Sequence, residues 1–208
     1  MTDPKIVLIT GANTGIGYQT VKALLKSDKR YLILLGTRSL SKGEAAIDSL
    51  KTEVPESSSS VHPIVIDIAS DESIEAASKE VEDKWGRIDT LINNAGGWPD
   101  PFRSPLNQVD NRSSERLRHS FRLLGADPGW EFKAGRLTRR ELMEKTFDVN
   151  VSGAYIVTET LMLLLLKSSD ARLVFVTSGQ SSLTAFSNGT MPLPPPPGAG
   201  LAQRNGIR

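Results

Sequence analysis

The residues from Thr10 to Gly17, TGANTGIG, are the first in the chain whose types and spacing could do chemistry. Gly11, Gly15 and Gly17 stand between a short apolar run and a stretch of helical period. Such a turn can bring backbone N–H groups and a helix N-terminus against a diphosphate. The spacing G-x-x-x-G-x-G differs from G-x-G-x-x-G, and a tight strand-to-helix turn needs glycine for its own geometry, so the loop alone leaves both readings open. Two other constellations are weaker. YQTVK, Tyr18 to Lys22, sets a phenol and an ammonium one helical turn apart, but it directly follows the glycine loop and reads as a chance match between two helix-surface residues. GQSSL, Gly179 to Leu183, lacks the second glycine of a nucleophile elbow, and no histidine follows Ser181 to act as its base. The sequence has no cysteine, and its two histidines, His62 and His119, are far apart. That excludes disulfides and thiolate nucleophiles and argues against a metal centre.

These residues need a scaffold, and the hydrophobic pattern supplies one. KIVLIT, YLILLG, VHPIVI and IDTLIN read as strands; Gly15 to Ser27, Leu40 to Thr52 and Asp71 to Lys84 read as the helices between them. The alternation predicts βαβ units around a parallel sheet, and the nearly continuous Val, Ile and Leu of the strands predicts helices on both faces. Further on, LTRRELMEKTFDVNVSGAYIVTETLMLLLLK reads as a helix, a brief interruption and a second, more buried helix, and RLVFVTSG as a fifth strand. The apolar segment Ile156 to Leu166 is about half the roughly 20 residues that a membrane span requires, so a buried helix is expected.

Placed on these elements, five features stand in a telling order: TGANTGIG, Asp67 at the end of the third strand, NNAG at Asn93 to Gly96, Asn150 in DVNVSG, and Ser178 at the end of the fifth strand. Together they resemble the short-chain dehydrogenase/reductase family, over nearly the whole chain except an insertion and the last few residues. The resemblance implies a Rossmann-like, doubly wound parallel sheet of about five strands in three α/β/α layers, binding NAD(P). It implies Gly11, Asn13, Thr14, Gly15, Ile16 and Gly17 at the diphosphate, Asp67 and Ile68 at the adenine, and Asn93 bracing that pocket beside Ala95 and Gly96. Simpler roles stay open, since Asp67 could cap the next turn and the NNAG asparagines could hold a bend.

A dinucleotide site that prefers NAD presents a carboxylate to the ribose about 20 residues after the glycine loop, whereas a 2′-phosphate prefers a basic partner. The second strand here ends LLGTRSLSK, without an acid and with Arg38 available for a bidentate phosphate contact, which favours NADP(H) over NAD(H). The resemblance further implies hydride transfer at a carbonyl or alcohol carbon of a small molecule. Ser178 would hydrogen-bond the substrate oxygen, and Asn150 would help hold a proton-relaying water. A Tyr-x-x-x-Lys pair would supply acid and base, the lysine and the cofactor's charge favouring a phenolate whose ordinary pKa is near 10. No tyrosine or lysine follows Ser178, so the chain is expected to be impaired or inactive as given, with the family's C-terminal elements lacking. A non-catalytic nucleotide-binding remnant or interaction protein is the alternative.

With 208 residues, one nucleotide-binding domain is expected. The stretch 98–136 breaks the pattern as an irregular insertion carrying Arg112, Arg116, Arg118 and Arg122, and 180–208 as an irregular Ser-, Gly- and Pro-rich tail. The insertion can be read as a basic lid over an anionic substrate or RNA, or as a surface excursion. The reading preferred here is that it and the tail are translated non-coding sequence or a misjoined frame. A net charge of +1 gives no reason to expect nucleic acid or an anionic membrane as partner. MTDPKIVLIT lacks the form of a secretory signal, so a cytoplasmic location is expected. The resemblance also implies a homo-oligomer through the 151–167 helix.

Overall fold

In the computed structural model, the described residues are 3–97, 139–177 and Thr184. The chain divides into two compact units, Met1–Phe175 and Val176–Arg208; of the second, the described residues are Val176, Thr177 and Thr184, all exposed. The insertion 98–136, Ser178 and the tail 180–208, apart from Thr184, lie outside the described residues.

The first unit is built on five parallel strands: β1 (Lys5–Ile9), β2 (Tyr31–Thr37), β3 (Ser60–Val65), β4 (Thr90–Asn93) and β5 (Arg172–Phe175). Their order across the sheet is β3-β2-β1-β4-β5. Helices α1 (Gly15–Leu25), α2 (Leu40–Glu53) and α3 (Asp71–Trp85) connect the first four strands. After the insertion come α4 (Arg139–Phe147), a wide π-helical turn (Asp148–Gly153) and α5 (Ala154–Leu166).

Because side chains alternate across a strand, the continuous apolar runs feed two cores at once. Val7, Ile9, Ile33 and Leu35 pack under Val21 and Leu25 of α1 and Ala46, Ile47 and Leu50 of α2. Ile6, Leu8, Leu34 and Leu91 pack against Ile74 and Val81 of α3 and Val157, Leu161, Leu164 and Leu165 of α5. The result is the expected three-layer, doubly wound sheet. Each such leucine or isoleucine, fully buried, contributes roughly 1.5–3 kcal/mol.

The predicted break between α4 and α5 is the π-helical turn, which widens the helix without ending it. The helix therefore continues through the turn, and its 24-residue part Met143–Leu166, in which an 18-residue window has a mean hydropathy of 1.6, is longer than the apolar pattern suggested. It is the one segment among the described residues long and apolar enough to cross a membrane. Its Val157, Leu161, Leu164 and Leu165 are nevertheless placed in the core, while Leu163 and Leu166 are exposed.

The two edges of the sheet differ. β3 carries Pro63, which cannot donate to a further strand, whereas β5 exposes Leu173, Val174 and Phe175, each by 41–52%.

At the N-terminal end of the sheet Asp89 ties three strands together. Its carboxylate accepts from the Ile6 N–H at 2.8 Å and the Ser168 hydroxyl at 2.6 Å, with the Arg87 guanidinium at 3.4 Å. Its backbone bonds to Ile6 and Arg172. Burial alone would raise the Asp89 carboxyl, but these donors and the Arg87 charge outweigh it and hold the group below the usual carboxylate range. A depressed pKa contributes stability that is complete above the unfolded value, near 3.9, and lost as pH falls through the folded one. Asp89→Ala should therefore cost roughly 1–3 kcal/mol in urea unfolding at pH 7, with the buried Ile6 N–H left unpaired. The difference from wild type should shrink as the pH is taken below about 4. A difference that persists unchanged in acid would show that Asp89 acts through packing alone.

Candidate functional site

The strand order changes direction between β1 and β4, because β1 leads outward to β2 while β4 returns on its other side. In open parallel sheets the crevice beyond the carboxyl ends of such a strand pair is where ligands bind. Both TGANTGIG and NNAG emerge there.

The two loops are fastened by Thr10 and Asn94. The Thr10 hydroxyl accepts from the N–H groups of Asn94 at 3.0 Å and Ala95 at 2.9 Å. The Asn94 amide donates back to the carbonyls of Thr10 at 2.9 Å and Gly11 at 3.2 Å. Thr10 is almost completely buried, and Asn94 and Ala95 are half-buried. Neither residue was among the predicted contacts. The signal for them was the polar Thr ending an apolar strand and the doubled Asn of NNAG.

The glycines follow from this closeness. Gly11 and Gly15 have φ of 63° and 60°, in the left-handed region that side chains avoid. A Cβ on Gly11 would lie 2.9 Å from the Ala95 Cα, and one on Gly17 would lie 2.7 Å from the Gly11 carbonyl oxygen. Neither position has room for a Cβ, so only glycine lets the loop pack this closely on itself and on the NNAG segment. Beyond it, the first turn of α1 contains no acid, and Thr14 at its N-cap makes no side-chain cap. By contrast α3 caps itself with Ser70 and places Asp71 and Glu72 in its first turn. The free N–H groups and the dipole of α1 therefore suit an anion, and the residues present fit a dinucleotide diphosphate.

On the other flank, Asn150 sits in the π-helical turn. Its amide donates to the carbonyls of Gly97 and, at 2.9 Å, Thr146, while its Oδ1 accepts from the Gly97 N–H at 3.0 Å. The side chain thereby takes up a carbonyl one turn back and clamps the backbone just past NNAG. Asn93 is buried and donates to the Thr158 hydroxyl of α5 at 2.9 Å, bracing β4 against that helix. Gly153, absent from the predicted contacts, lies against the backbone of Ile68; a Cβ there would be 3.2 Å from the Ile68 carbonyl carbon and would meet its oxygen.

Asp67 is half-buried and uses one carboxylate oxygen to accept from the Ala69 N–H at 3.1 Å, so the turn-capping role is present. Arg38 is exposed in the bend between β2 and α2, outside the ion pairs formed among the described residues. Asn13 is half-buried in the loop, and Thr14 and Ile16 are exposed at the start of α1.

Tyr18 and Lys22 are more than surface residues. Both reach Glu53 at the end of α2, the phenol donating at 2.8 Å and the ammonium forming an ion pair. Burial, together with the Glu53 hydrogen bond and charge, pushes the Tyr18 phenol up to about 12, the opposite of what a base at neutral pH requires. The pair braces α1 against α2.

Residues 5–119 match the sequence model of the short chain dehydrogenases. The chain belongs to the short-chain dehydrogenase family. Members of this family are oxidoreductases that bind NAD(P) on a Rossmann-like sheet. Among curated relatives, the short-chain dehydrogenase/reductase tropE of Talaromyces stipitatus is 36% identical over 188 residues, 90% of this chain and 58% of its own length. The short-chain dehydrogenase/reductase eupG of a Phoma species is 40% identical over 193 residues, 91% of this chain and 59% of its own. Of solved structures, salutaridine reductase from Papaver somniferum superposes with a TM-score of 0.62 at 26% identity, covering 86% of this chain and 59% of that one. The chain thus spans somewhat under three fifths of the length of each of these three proteins.

Thr10→Val should remove the acceptor of the Asn94 and Ala95 N–H groups at a cost of about 1–3 kcal/mol in all, whereas Thr10→Ser keeps the acceptor and should stay near wild type. Thermal unfolding of the two variants checks this, and equal losses would mean that the methyl, and not the hydroxyl, matters.

Proposed function

We propose that the chain forms the cofactor-binding part of an NADP(H)-dependent oxidoreductase acting on a carbonyl or alcohol carbon of a small molecule. The observation that carries the reading is the glycine loop held against NNAG by Thr10 and Asn94, at the switch point and beside a helix N-terminus with no side-chain cap. NADP(H), when bound, supplies or accepts the hydride. Gly11, Asn13, Thr14, Gly15, Ile16 and Gly17 would line the diphosphate, with Asp67 and Ile68 toward the adenine and Ala95 and Gly96 along the floor.

The preference for the phosphorylated cofactor rests on Arg38. Its exposed guanidinium stands beside the N-terminus of α2, whose first turn contains no acid and whose Ser39 makes no side-chain cap. Two cationic influences there favour a 2′-phosphate, and no carboxylate at that strand end invites ribose hydroxyls.

In this reading Ser178 would donate a hydrogen bond to the substrate oxygen. Asn150, with its amide spent on backbone carbonyls, keeps Gly97 in place and retains one lone pair of Oδ1 for a water. The 208 residues contain no Tyr-x-x-x-Lys after Ser178, and the earlier one is committed to Glu53 with a phenol that holds its proton. Binding of NADPH without turnover is therefore the behaviour proposed for this chain by itself. A cytosolic location goes with this reading, since the most apolar helix contributes its Val157, Leu161, Leu164 and Leu165 to the core.

Calorimetric titration tests the cofactor: NADPH should bind more tightly than NADH, and Arg38→Ala should remove that margin, about 1.5–3 kcal/mol for a charge-assisted contact, while leaving NADH affinity nearly unchanged. An undiminished preference in Arg38→Ala would overturn the assignment. NADPH oxidation with a panel of ketones tests the chemistry, and Ser178-dependent turnover by this chain would refute the claim that it binds without reacting.

A further inference from the structure

The π-helical turn meets the loops of the crevice through Asn150, which clamps Gly97, and through Gly153, which rests on the backbone of Ile68. A further link lies where the turn gives way to α5. The Thr158 hydroxyl donates to the carbonyl of Ala154, the first residue of α5, at 2.7 Å, and accepts from the Asn93 amide at 2.9 Å. Back-bonding of a threonine to the carbonyl four residues earlier is common in helices and by itself positions nothing outside the helix. Here the same oxygen also reaches a second element, 65 residues away in sequence. A hydroxyl has one proton, and with that proton on Ala154 the oxygen can only accept. Asn93 must therefore offer Nδ2, so its amide takes a single orientation. Asn93 ends β4 and is only 6% exposed, which leaves little water to replace the bond. The next residue is Asn94, which fastens the glycine loop.

We infer that Thr158 is a positioning residue of the crevice: by joining Asn93 to Ala154 it sets the end of β4 against the start of α5 and so places Asn150 over Gly97. The consequence for cofactor affinity rests on the reading of the crevice as an NADP(H) site. The bonds run in one direction, from the Asn93 amide through the Thr158 hydroxyl to the Ala154 carbonyl, and hydrogen bonds in such a series polarise one another. Loss of the hydroxyl removes both at once. The buried Asn93 amide then has to turn toward another acceptor, and the start of α5 is no longer tied to β4. Asn150 is four residues before Ala154 on the same helix, so a shift there changes its reach to Gly97.

Thr158→Val keeps the size of the side chain and removes both bonds, whereas Thr158→Ser keeps them. In nuclear magnetic resonance spectra of the full chain, Thr158→Val should shift the side-chain NH2 signals of Asn150 and make them exchange with solvent several-fold faster. The backbone amides of Ile6 and Arg172, bonded to Asp89 at the other end of the sheet, should stay unchanged. NADPH affinity, measured by calorimetry, should fall about three- to tenfold, the worth of one neutral hydrogen bond. Thr158→Ser should restore both readouts. Asn93→Asp, whose ionised carboxylate cannot donate to the hydroxyl, should reproduce the Thr158→Val signals at Asn150. A Thr158→Val chain that unfolds at a lower temperature, yet keeps the Asn150 signals and NADPH affinity of wild type, would reduce Thr158 to a helix-stabilising residue and overturn the inference. Failure of the wild-type chain to bind NADPH would instead remove the cofactor reading, and the Asn150 signals would still decide whether Thr158 places that turn.

Discussion

The reciprocal fastening of Thr10 and Asn94 is the constraint on which the candidate site depends. A parallel sheet lets β1 and β4 lie side by side, but nothing in strand pairing dictates what the loops beyond their ends do. One buried hydroxyl taking two N–H groups, and one amide returning two bonds to carbonyls, fix both loops to each other. Once they are that close, Gly11 and Gly17 have no room for a Cβ. The glycines at these two positions are a consequence of the fastening, because any side chain would strike the neighbouring backbone.

The other side of the crevice is set by the π-helical turn. Its extra width brings Asn150 over Gly97 and Gly153 onto the backbone of Ile68, so the NNAG segment, the Asn150 turn and the loop after β3 are held as one surface. A regular helix would pass the same positions at a different angle. The irregularity sits where a ligand would be handled, as such bulges often do.

The opposite end of the sheet serves stability. Asp89 joins β1, β4 and the approach to β5 by side-chain and backbone bonds, far from the loops that form the crevice. Tyr18 and Lys22 show how a motif taken out of place changes meaning. On α1 they meet Glu53 of α2, and a carboxylate beside a phenol opposes its ionisation.

The order of elements, the parallel sheet and the two-sided core were legible in the sequence, because alternation of apolar runs with helical periods is a local pattern and burial on both faces leaves strands apolar throughout. The places of the glycine loop, NNAG and Arg38 just past strand ends were legible too, as was the interruption of the helix around Asn150. What the sequence could not express was distance between residues remote along the chain. Thr10 with Asn94, Gly153 with Ile68, Asn93 with Thr158 and Tyr18 with Glu53 are contacts made by strand order and helix packing, and no local pattern encodes them. Residue type and spacing determined which groups were available for binding and chemistry; only the tertiary structure decided which of them face one another, because that depends on where the sheet reverses and how closely each helix can approach it.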